Sequence, residues 1–379
     1  MIPVTPLRVL LILELTEAYA QAILHGVCRR GGQDPRLRLQ TVRLFPLEGL
    51  AKRLAHCDAI IASLVDQDVA TTILSANVPV VNVSNRGTDF HPFSVVSDTR
   101  GAFMRSLQHF RERSITRFAT IGKVEVSRDL LEAADKPFQY LGSLPYGEGL
   151  RLMDEESVSR VGAWLRETGL PMGVFCRSDT LAAQLAEICE RNGLSVPEDV
   201  AIVGSGNDEV ACLSAHPTLS SVDMHFEDVG GQAVELLFEL LEGQTPDPPL
   251  RIVPSGSILV RQSSNVYAVD DPYVAKALKI MDAHLTTTLD IGSLADMLHI
   301  SRRMFEGRFQ KAMHMAPASY LRNRRLRAAL EMLETSNLQI TEIAYAAGFA
   351  NAAHFCTLFR KTQGMTPKQY REKINHAIL

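Results

Sequence analysis

Apolar and polar positions follow two rhythms along the first two-thirds of the chain. RVLLILE (8–14), DAIIASL (58–64), VPVVNV (78–83), RFATIG (117–122), GVFCR (173–177) and VAIVGS (200–205) are short, nearly continuous apolar runs. Such runs suit strands covered on both faces. Between them lie stretches with helical spacing: EAYAQAILHGVCRR (17–30), VATTILSAN (69–77), TRGAFMRSLQHFRER (99–113) and TLAAQLAEICERNG (180–193). In the first of these, Ala22, Ile23, Val27 and Cys28 form the predicted apolar face. Strand–helix alternation with short joins predicts parallel, doubly wound sheets with right-handed crossovers. Gly31-Gly32 and Asn192-Gly193 stand where helix C-caps belong. A late helix, FEDVGGQAVELLFELLEG (226–243), leads through a Pro-rich turn to two strands, RIVPSG (251–256) and SILVRQS (257–263).

The polar stretch SSNVYAVDDP (263–272) breaks both rhythms and places a domain boundary near 268, dividing the chain into 1–268 and 269–379. Beyond about 265 only helical spacing survives, and it repeats. SLADMLHISRRMFEGRF (293–309) and EIAYAAGFANAAHFCTLF (342–359) each hold an apolar helix, a tight turn, an N-capping residue and a second helix with phenylalanines four apart. Ser301 and Asn351 are the caps, and Gly348 suits the second turn. Two helices joined this way predict a helix-turn-helix whose second helix offers its N-terminal residues to a major groove.

Charge sharpens this division. Residues 1–269 carry 24 basic against 33 acidic side chains, and the remainder 15 against 10. A basic tail on an acidic body suits a polyanion partner for the tail alone. With Phe305 and Phe309 inward, Arg302, Arg303, Glu306 and Gln310 point out, and arginine can grip guanine while Glu306 can accept from cytosine N4. In the second copy Ala352, Ala353, His354, Cys356 and Thr357 point out, followed by Arg360 and Lys361, a set suited to methyl contacts and phosphate anchoring. Between the copies, SYLRNRRLRAALEMLETS (319–336) forms a strut of about 27 Å, close to the ~34 Å of one DNA turn, with Arg322, Arg324, Arg325 and Arg327 along it. The six cysteines show no metal spacing and read as reduced core thiols. LRVLLILEL (7–15) is too short to span a bilayer, so a cytoplasmic protein without membrane contact is expected. GSGNDE (204–209) lacks the third glycine of a dinucleotide fingerprint. No catalytic constellation, cofactor or metal site is expected.

The tail resembles the DNA-binding domain of AraC-type transcription factors through SLADMLHISRRMF, YLRNRRLRAALEML, ITEIAYAAGFANAAHFCTLFRK and GMTPKQYR. That resemblance implies base contacts from Arg303, Glu306 and Gly307, and from Ala352, Ala353, His354 and Thr357; His314 stands where the family has glycine. The front resembles the ligand-binding core of LacI-type repressors and periplasmic sugar-binding proteins through SDTLAAQLAEICERNGLSVPEDVAIVGSGNDE and HPTLSSVDMHFEDVGGQAVELLFELLEG. Together the two halves resemble the arrangement of xylose-operon regulators. The resemblance implies an α/β two-lobed periplasmic-binding-protein-like domain followed by an all-α domain with two helix-turn-helix motifs. It further implies binding to double-stranded operator or promoter DNA, a small-molecule effector such as xylose or a related sugar, a homodimer, and contact with RNA polymerase if the protein is an activator.

For the effector the resemblance offers Asp179, which either reaches the ligand or caps its helix; Glu17 and Tyr19 lie in the first strand–helix turn. Arg128 could replace the family's cleft arginine, and Asn207 and Asp208 follow Gly206, which stands where relatives carry a sugar-binding aspartate. A carbohydrate-binding module without a regulatory role is the alternative reading.

Overall fold

The computed structural model describes residues 6–45, 50–122, 139–144, 154–267, 269, 271–287 and 289–378. The chain groups into two units. Residues 1–109, 117–196 and 202–264 form the first; 110–116, 197–201 and 265–379 form the second.

The first unit holds two six-stranded sheets. One comprises β1 (Leu7–Leu13), β2 (Leu37–Arg43), β3 (Ala59–Ala62), β4 (Val80–Asn82), β5 (Ser94–Ser97) and β11 (Leu250–Val253), in the order β11-β5-β4-β3-β1-β2. The other comprises β6 (Arg117–Ile121), β7 (Gln139–Ser143), β8 (Met172–Cys176), β9 (Val200–Ser205), β10 (Ser220–Val222) and β12 (Ile258–Leu259), in the order β12-β10-β9-β8-β6-β7. Every pairing is parallel except β10 with β12, which corrects the expectation of purely parallel sheets. Four strands escaped the sequence reading: β2, β5, β7 and β10. β2 (LRLQTVR) is an edge strand with only Val42 buried, so its apolar signal is weak.

The continuous apolar run of β1 follows from covering both faces. Val9, Leu11 and Leu13 pack on one side with helices α1 (Ala18–Gly31) and α8 (Phe226–Leu241). Leu10 and Ile12 pack on the other with α2 (Leu50–Leu54) and α3 (Gln67–Leu74). The second sheet is flanked by α4 (Thr99–Glu112), α5 (Glu155–Thr168), α6 (Asp179–Arg191) and α7 (Glu209–Ser214). Phe103 of α4 meets Phe118 and Phe175 at 6.0 and 5.9 Å between ring centroids.

α1 and α8 cross with backbones in contact. A Cβ on Gly26 would stand 1.9 Å from the Glu227 carbonyl oxygen, and one on Gly230 would stand 2.1 Å from that of Ile23. Outside this seam, Glu227 accepts from His25 Nδ1 (2.8 Å) and Arg29 Nη1 (3.2 Å), and Arg30 donates to Glu235. The close approach shifts the buried face of α1 to Ala20, Ile23, Gly26 and Val27. Cys28 is exposed, correcting its place in the predicted apolar face, whereas Cys57, Cys176, Cys189 and Cys212 are buried thiols.

The two lobes are tied at three crossings: β5 to α4, β10 to α8, and β11 to β12. Hydrogen bonds knit these together. Asp98 N donates to Val253 O (2.9 Å) and its Oδ1 accepts from Gly101 N (2.7 Å). Gly256 N donates to Asp223 O (2.8 Å), Asp223 N to Ser257 O (3.0 Å), and His225 Nδ1 to Pro254 O (3.0 Å).

The second unit contains helices α9 (Pro272–Ala283), α10 (Ile291–Met297), α11 (Arg302–Met313), α12 (Pro317–Thr335), α13 (Ile340–Ala346), α14 (Ala352–Gln363) and α15 (Pro367–Ile378). Its repeat runs further than two helices. Phe305, Phe309 and Tyr320 form an edge-to-face series at 5.5 and 5.6 Å, and Phe355, Phe359 and Tyr370 repeat it at 5.6 and 5.5 Å. Each tyrosine sits on a helix begun by proline, Pro317 or Pro367. The two aromatic series stand in separate cores. α12, about 28 Å long, gives Tyr320 and Leu321 to the first and Leu326, Ala329 and Leu333 to the second. Four sharp turns need left-handed backbone. Glycine serves in the second copy (Gly348, φ 83°; Gly364, φ 72°), and histidine in the first (His299, φ 55°; His314, φ 54°).

Two outcomes follow. Gly26→Ala forces the α1–α8 seam apart and lowers stability by about 1–3 kcal/mol, seen as a lower thermal unfolding midpoint. His314→Gly removes left-handed strain at an exposed helix end and raises stability by about 0.5–1 kcal/mol in the same assay.

Candidate functional site

A cleft of about 660 Å³ opens in the first unit. Its lining comes from the C-terminal ends of the parallel strands in both sheets, where α/β folds bind ligands. Glu17 and Tyr19 follow β1, Ser84, Asn85 and Arg86 follow β4, and Arg177 and Ser178 follow β8. Tyr19 and Phe226 form an aromatic wall, with centroids 5.8 Å apart and rings tilted by 54°. Burial raises the Tyr19 pKa, and the Glu17 carboxylate adds to the rise, against the opposing influence of Arg177 and Arg86.

The turn carrying Arg86 is held by buried Asn82. Its Oδ1 accepts from Leu64 N (3.2 Å) and Ser84 N (2.9 Å), and its Nδ2 donates to Ser84 O (2.9 Å) and Ser94 Oγ (3.0 Å). Asn85 Nδ2 donates to Ser97 O at 2.8 Å. Across the cleft, Arg177 O accepts from Ser205 Oγ (2.7 Å), and Ser178 caps α6 through Leu181 N (3.2 Å).

Of the residues singled out from the sequence, Glu17 and Tyr19 line the cleft, whereas Asp179, Asn207 and Asp208 lie outside its lining. Asp179 is 2% exposed and accepts from Asp208 N (2.8 Å), and burial raises its pKa. The Asp208 carboxylate caps α7 by accepting from Val210 N (3.0 Å) and Ala211 N (3.4 Å). Asn207 Oδ1 accepts from Arg261 Nη2 at 2.9 Å. These side chains fasten the β9 turn to its neighbours. Arg128 lies outside the described residues. Sequence reasoning missed Arg86, Arg177 and Phe226. Arg177 stands two residues before Asp179 and Phe226 opens a predicted helix, but only the fold reveals that both face one cavity with Tyr19.

In the second unit, Ser301 caps α11 through Met304 N (3.3 Å), and Asn351 caps α14 through Ala353 N (2.7 Å) and His354 N (3.4 Å). Arg302, Arg303 and Gln310 are exposed on α11. Arg302 donates to the half-buried Glu306 at 2.8 Å. On α14, Ala353, His354, Thr357, Arg360 and Lys361 are exposed, and the Thr357 hydroxyl donates to Ala353 O (3.0 Å).

The strut's basic face requires a correction. Arg324 is 15% exposed and pairs with Glu112 and with Asp282 (2.9 Å). Arg327 pairs with the same Glu112, which lies in the 110–116 segment that groups with the second unit. Arg325 donates to the carbonyls of Leu285 (2.9 Å) and Thr287 (2.6 Å). Asp282 also accepts from Arg113 (3.3 Å) and from the Tyr267 hydroxyl, and burial raises its pKa against the pull of Arg113. Of the four strut arginines, Arg322 and Arg327 are exposed, and Arg322 contacts Ser319.

Comparison with known proteins matches residues 107–264 to a periplasmic binding protein-like domain and 294–373 to a helix-turn-helix domain. The xylose operon regulatory protein of Haemophilus influenzae is 25% identical over 83% of this chain and 84% of its own length. The solved structure of a xylose-binding transcription activator, xylR, aligns over 98% of this chain and 99% of its own, with TM-score 0.58 and 24% identity. A LacI family regulator from Enterococcus faecium, solved with bound ribose, aligns over 68% of this chain and 98% of its own, with TM-score 0.53 and 18% identity.

The chain is a sequence-specific DNA-binding transcription regulator. Its N-terminal domain carries a sensor cleft, and its C-terminal all-α domain carries a helix-turn-helix motif. The assignment to AraC-type regulators, made from the tail, is overturned: the likenesses spanning the sensor and the whole chain are to LacI-type and xylose-operon regulators. Among the described residues, no helix of the regulator is long and apolar enough to cross a membrane.

Because Arg324 is held inside an ion cluster, Arg324→Ala removes one partner from each of two largely buried carboxylates, leaving Glu112 to Arg327 and Asp282 to Arg113 and Tyr267, and costs about 1.5–3 kcal/mol. Thermal unfolding of the full chain reads this loss, while the salt dependence of DNA binding at a temperature where the variant is folded stays unchanged.

Proposed function

We propose that the regulator binds a sugar-type effector between Tyr19, Phe226 and the polar groups of the cleft, and reads DNA with two helix-turn-helix motifs. The observation that carries the effector reading is the cavity itself: an aromatic wall beside charged and hydroxyl groups at the strand C-termini. Rings of this kind stack on the apolar faces of sugars while polar neighbours satisfy the hydroxyls. The xylose-binding and ribose-bound relatives support the same ligand class.

The second motif is supported by the repeated cap, aromatic series and proline-started helix of α13–α15. In this reading Arg303, Glu306 and Gln310 face bases from the first copy, and Ala353, His354 and Thr357 from the second. Arg302, Arg360 and Lys361 hold phosphates, and Ser301 and Asn351 orient the helix N-termini. Residues 1–268 sense and 269–379 bind DNA. The regulator acts in the cytoplasm as a homodimer, and as an activator it recruits RNA polymerase. Effector binding favours one lobe arrangement over another and so shifts the dimer's hold on DNA.

Fluorescence anisotropy on promoter fragments tests this reading. The full chain binds a specific fragment, with affinity falling linearly in log salt. Arg303→Ala changes which base is preferred at one position by about 1–3 kcal/mol, whereas Lys361→Ala weakens all sequences alike. Equal loss from both variants on every sequence refutes the assigned roles.

A further inference from the structure

The second unit contains four glycines, and the fold accounts for three of them. Gly348 and Gly364 have left-handed backbone, at φ 83° and 72°. A Cβ on Gly292 would stand 3.0 Å from Oδ1 of Asp290, the carboxylate that caps its helix. Gly307 differs. It lies in the middle of α11, in ordinary helical backbone, and is exposed. Among the described residues, no atom stands within 4 Å of the place its Cβ would take. Glycine weakens a helix interior more than any residue except proline, and no turn, crossing or contact among the described residues of the unit requires it there. Nor does the motif demand it. Aligning Phe305 with Phe355 puts Thr357 at the equivalent position, so the same turn accepts a β-branched side chain in the second copy.

Gly307 sits on the face that the buried phenylalanines turn outward. Residues three and four apart on a helix are surface neighbours. On α11 these are Arg303, Met304, Gln310 and Lys311, all exposed. The bare Cα is the floor of a shallow notch, with two cations and an amide on its rim and one apolar wall. That wall is Met304, a large hydrophobic side chain left 43% exposed, whose backbone N–H is taken by the Ser301 cap at 3.3 Å. An unbranched thioether adapts its shape to an apolar partner. In a major groove, the apolar group that projects from a base edge is the C5-methyl of thymine.

Resting on α11 being a reading helix, we propose that Gly307 is a specificity-determining residue. Its missing side chain lets α11 seat close to the base edges, and the notch takes the methyl group of one thymine against Met304, while Arg303 and Gln310 reach the bases beside it. A side chain at 307 holds the helix off and fills the space that the methyl needs.

Fluorescence anisotropy of the full chain on a duplex it has selected from a random pool tests this. Each thymine is replaced in turn by deoxyuridine, which lacks only the methyl. For the unaltered protein, one replacement weakens binding about fourfold, the value of one buried methyl. Gly307→Ala weakens binding to the thymine duplex about fivefold or more through overpacking. It loses this penalty on the duplex with deoxyuridine at that position, where its own methyl fits. Met304→Ala lessens the preference for thymine over deoxyuridine. The thermal unfolding midpoint of Gly307→Ala rises by about 2 °C, so its weaker binding does not come from a damaged helix. Equal losses on both duplexes, or a lowered midpoint, overturn the proposal. Arg303→Ala separates the failures. If Gly307→Ala binds like the unaltered protein while Arg303→Ala changes base preference, the notch is refuted and the reading of α11 stands. If neither variant changes affinity or preference on any duplex, α11 does not face bases and both fail.

Discussion

Two phenylalanines one helical turn apart, met edge-on by a tyrosine from the following helix, fix what the C-terminal unit can offer to DNA. In each copy the pair is fully buried, and the intervening positions of the same helix are thereby turned to solvent. Aromatic pairs in this geometry add to their large burial a directional preference that resists rotation of the helix about its axis. The proline that opens each tyrosine-bearing helix sets where that third ring arrives. Without these series the outward residues of α11 and α14 would have no defined facing. The specificity of such a helix depends on its core as much as on its surface.

Charge is distributed in the opposite sense to a simple reading of composition. The basic excess of the tail suggests a surface uniformly attractive to phosphates, yet part of it is spent inside. Arg324, beside Arg113 from the first two-thirds of the chain, is held against Glu112 and Asp282, and Arg325 satisfies two carbonyls. Buried pairs of this kind add little net stability over apolar packing but penalise any arrangement that separates them. The sensor shows the converse economy. Asp179 and Asp208 near the cleft serve the backbone, and Glu17, Arg86 and Arg177 line the cavity.

The order of strands and helices was largely legible because core strands buried on both faces announce themselves as apolar runs. Edge strands such as β2, exposed on most of their length, do not. The repeat was legible from its caps and phenylalanines, and the third helix of its first copy as the strut, though the matching α15 was not, since a proline and a tyrosine three apart carry no periodicity of their own. Candidate ligand residues fared less evenly. Glu17 and Tyr19 could be placed because a strand end precedes them. Asp179 and Asp208 look alike as carboxylates in turns, and only packing separates an acid that fastens backbone from one that meets solvent. Arg324 was misplaced on the strut's basic face for the same reason: exposure cannot be inferred from charge when a partner such as Glu112 lies some two hundred residues away in sequence.

The triple crossing between the lobes has a mechanical consequence. Because three separate stretches of chain pass at one edge, cross-linked through Asp98, Asp223 and His225, no single peptide bond is the sole tether. A protease that nicks the chain at one crossing leaves two intact, and the halves stay registered as fragments of one hinge. Parting the lobes would require all three crossings to give way, so relative movement of the lobes has to take place about them.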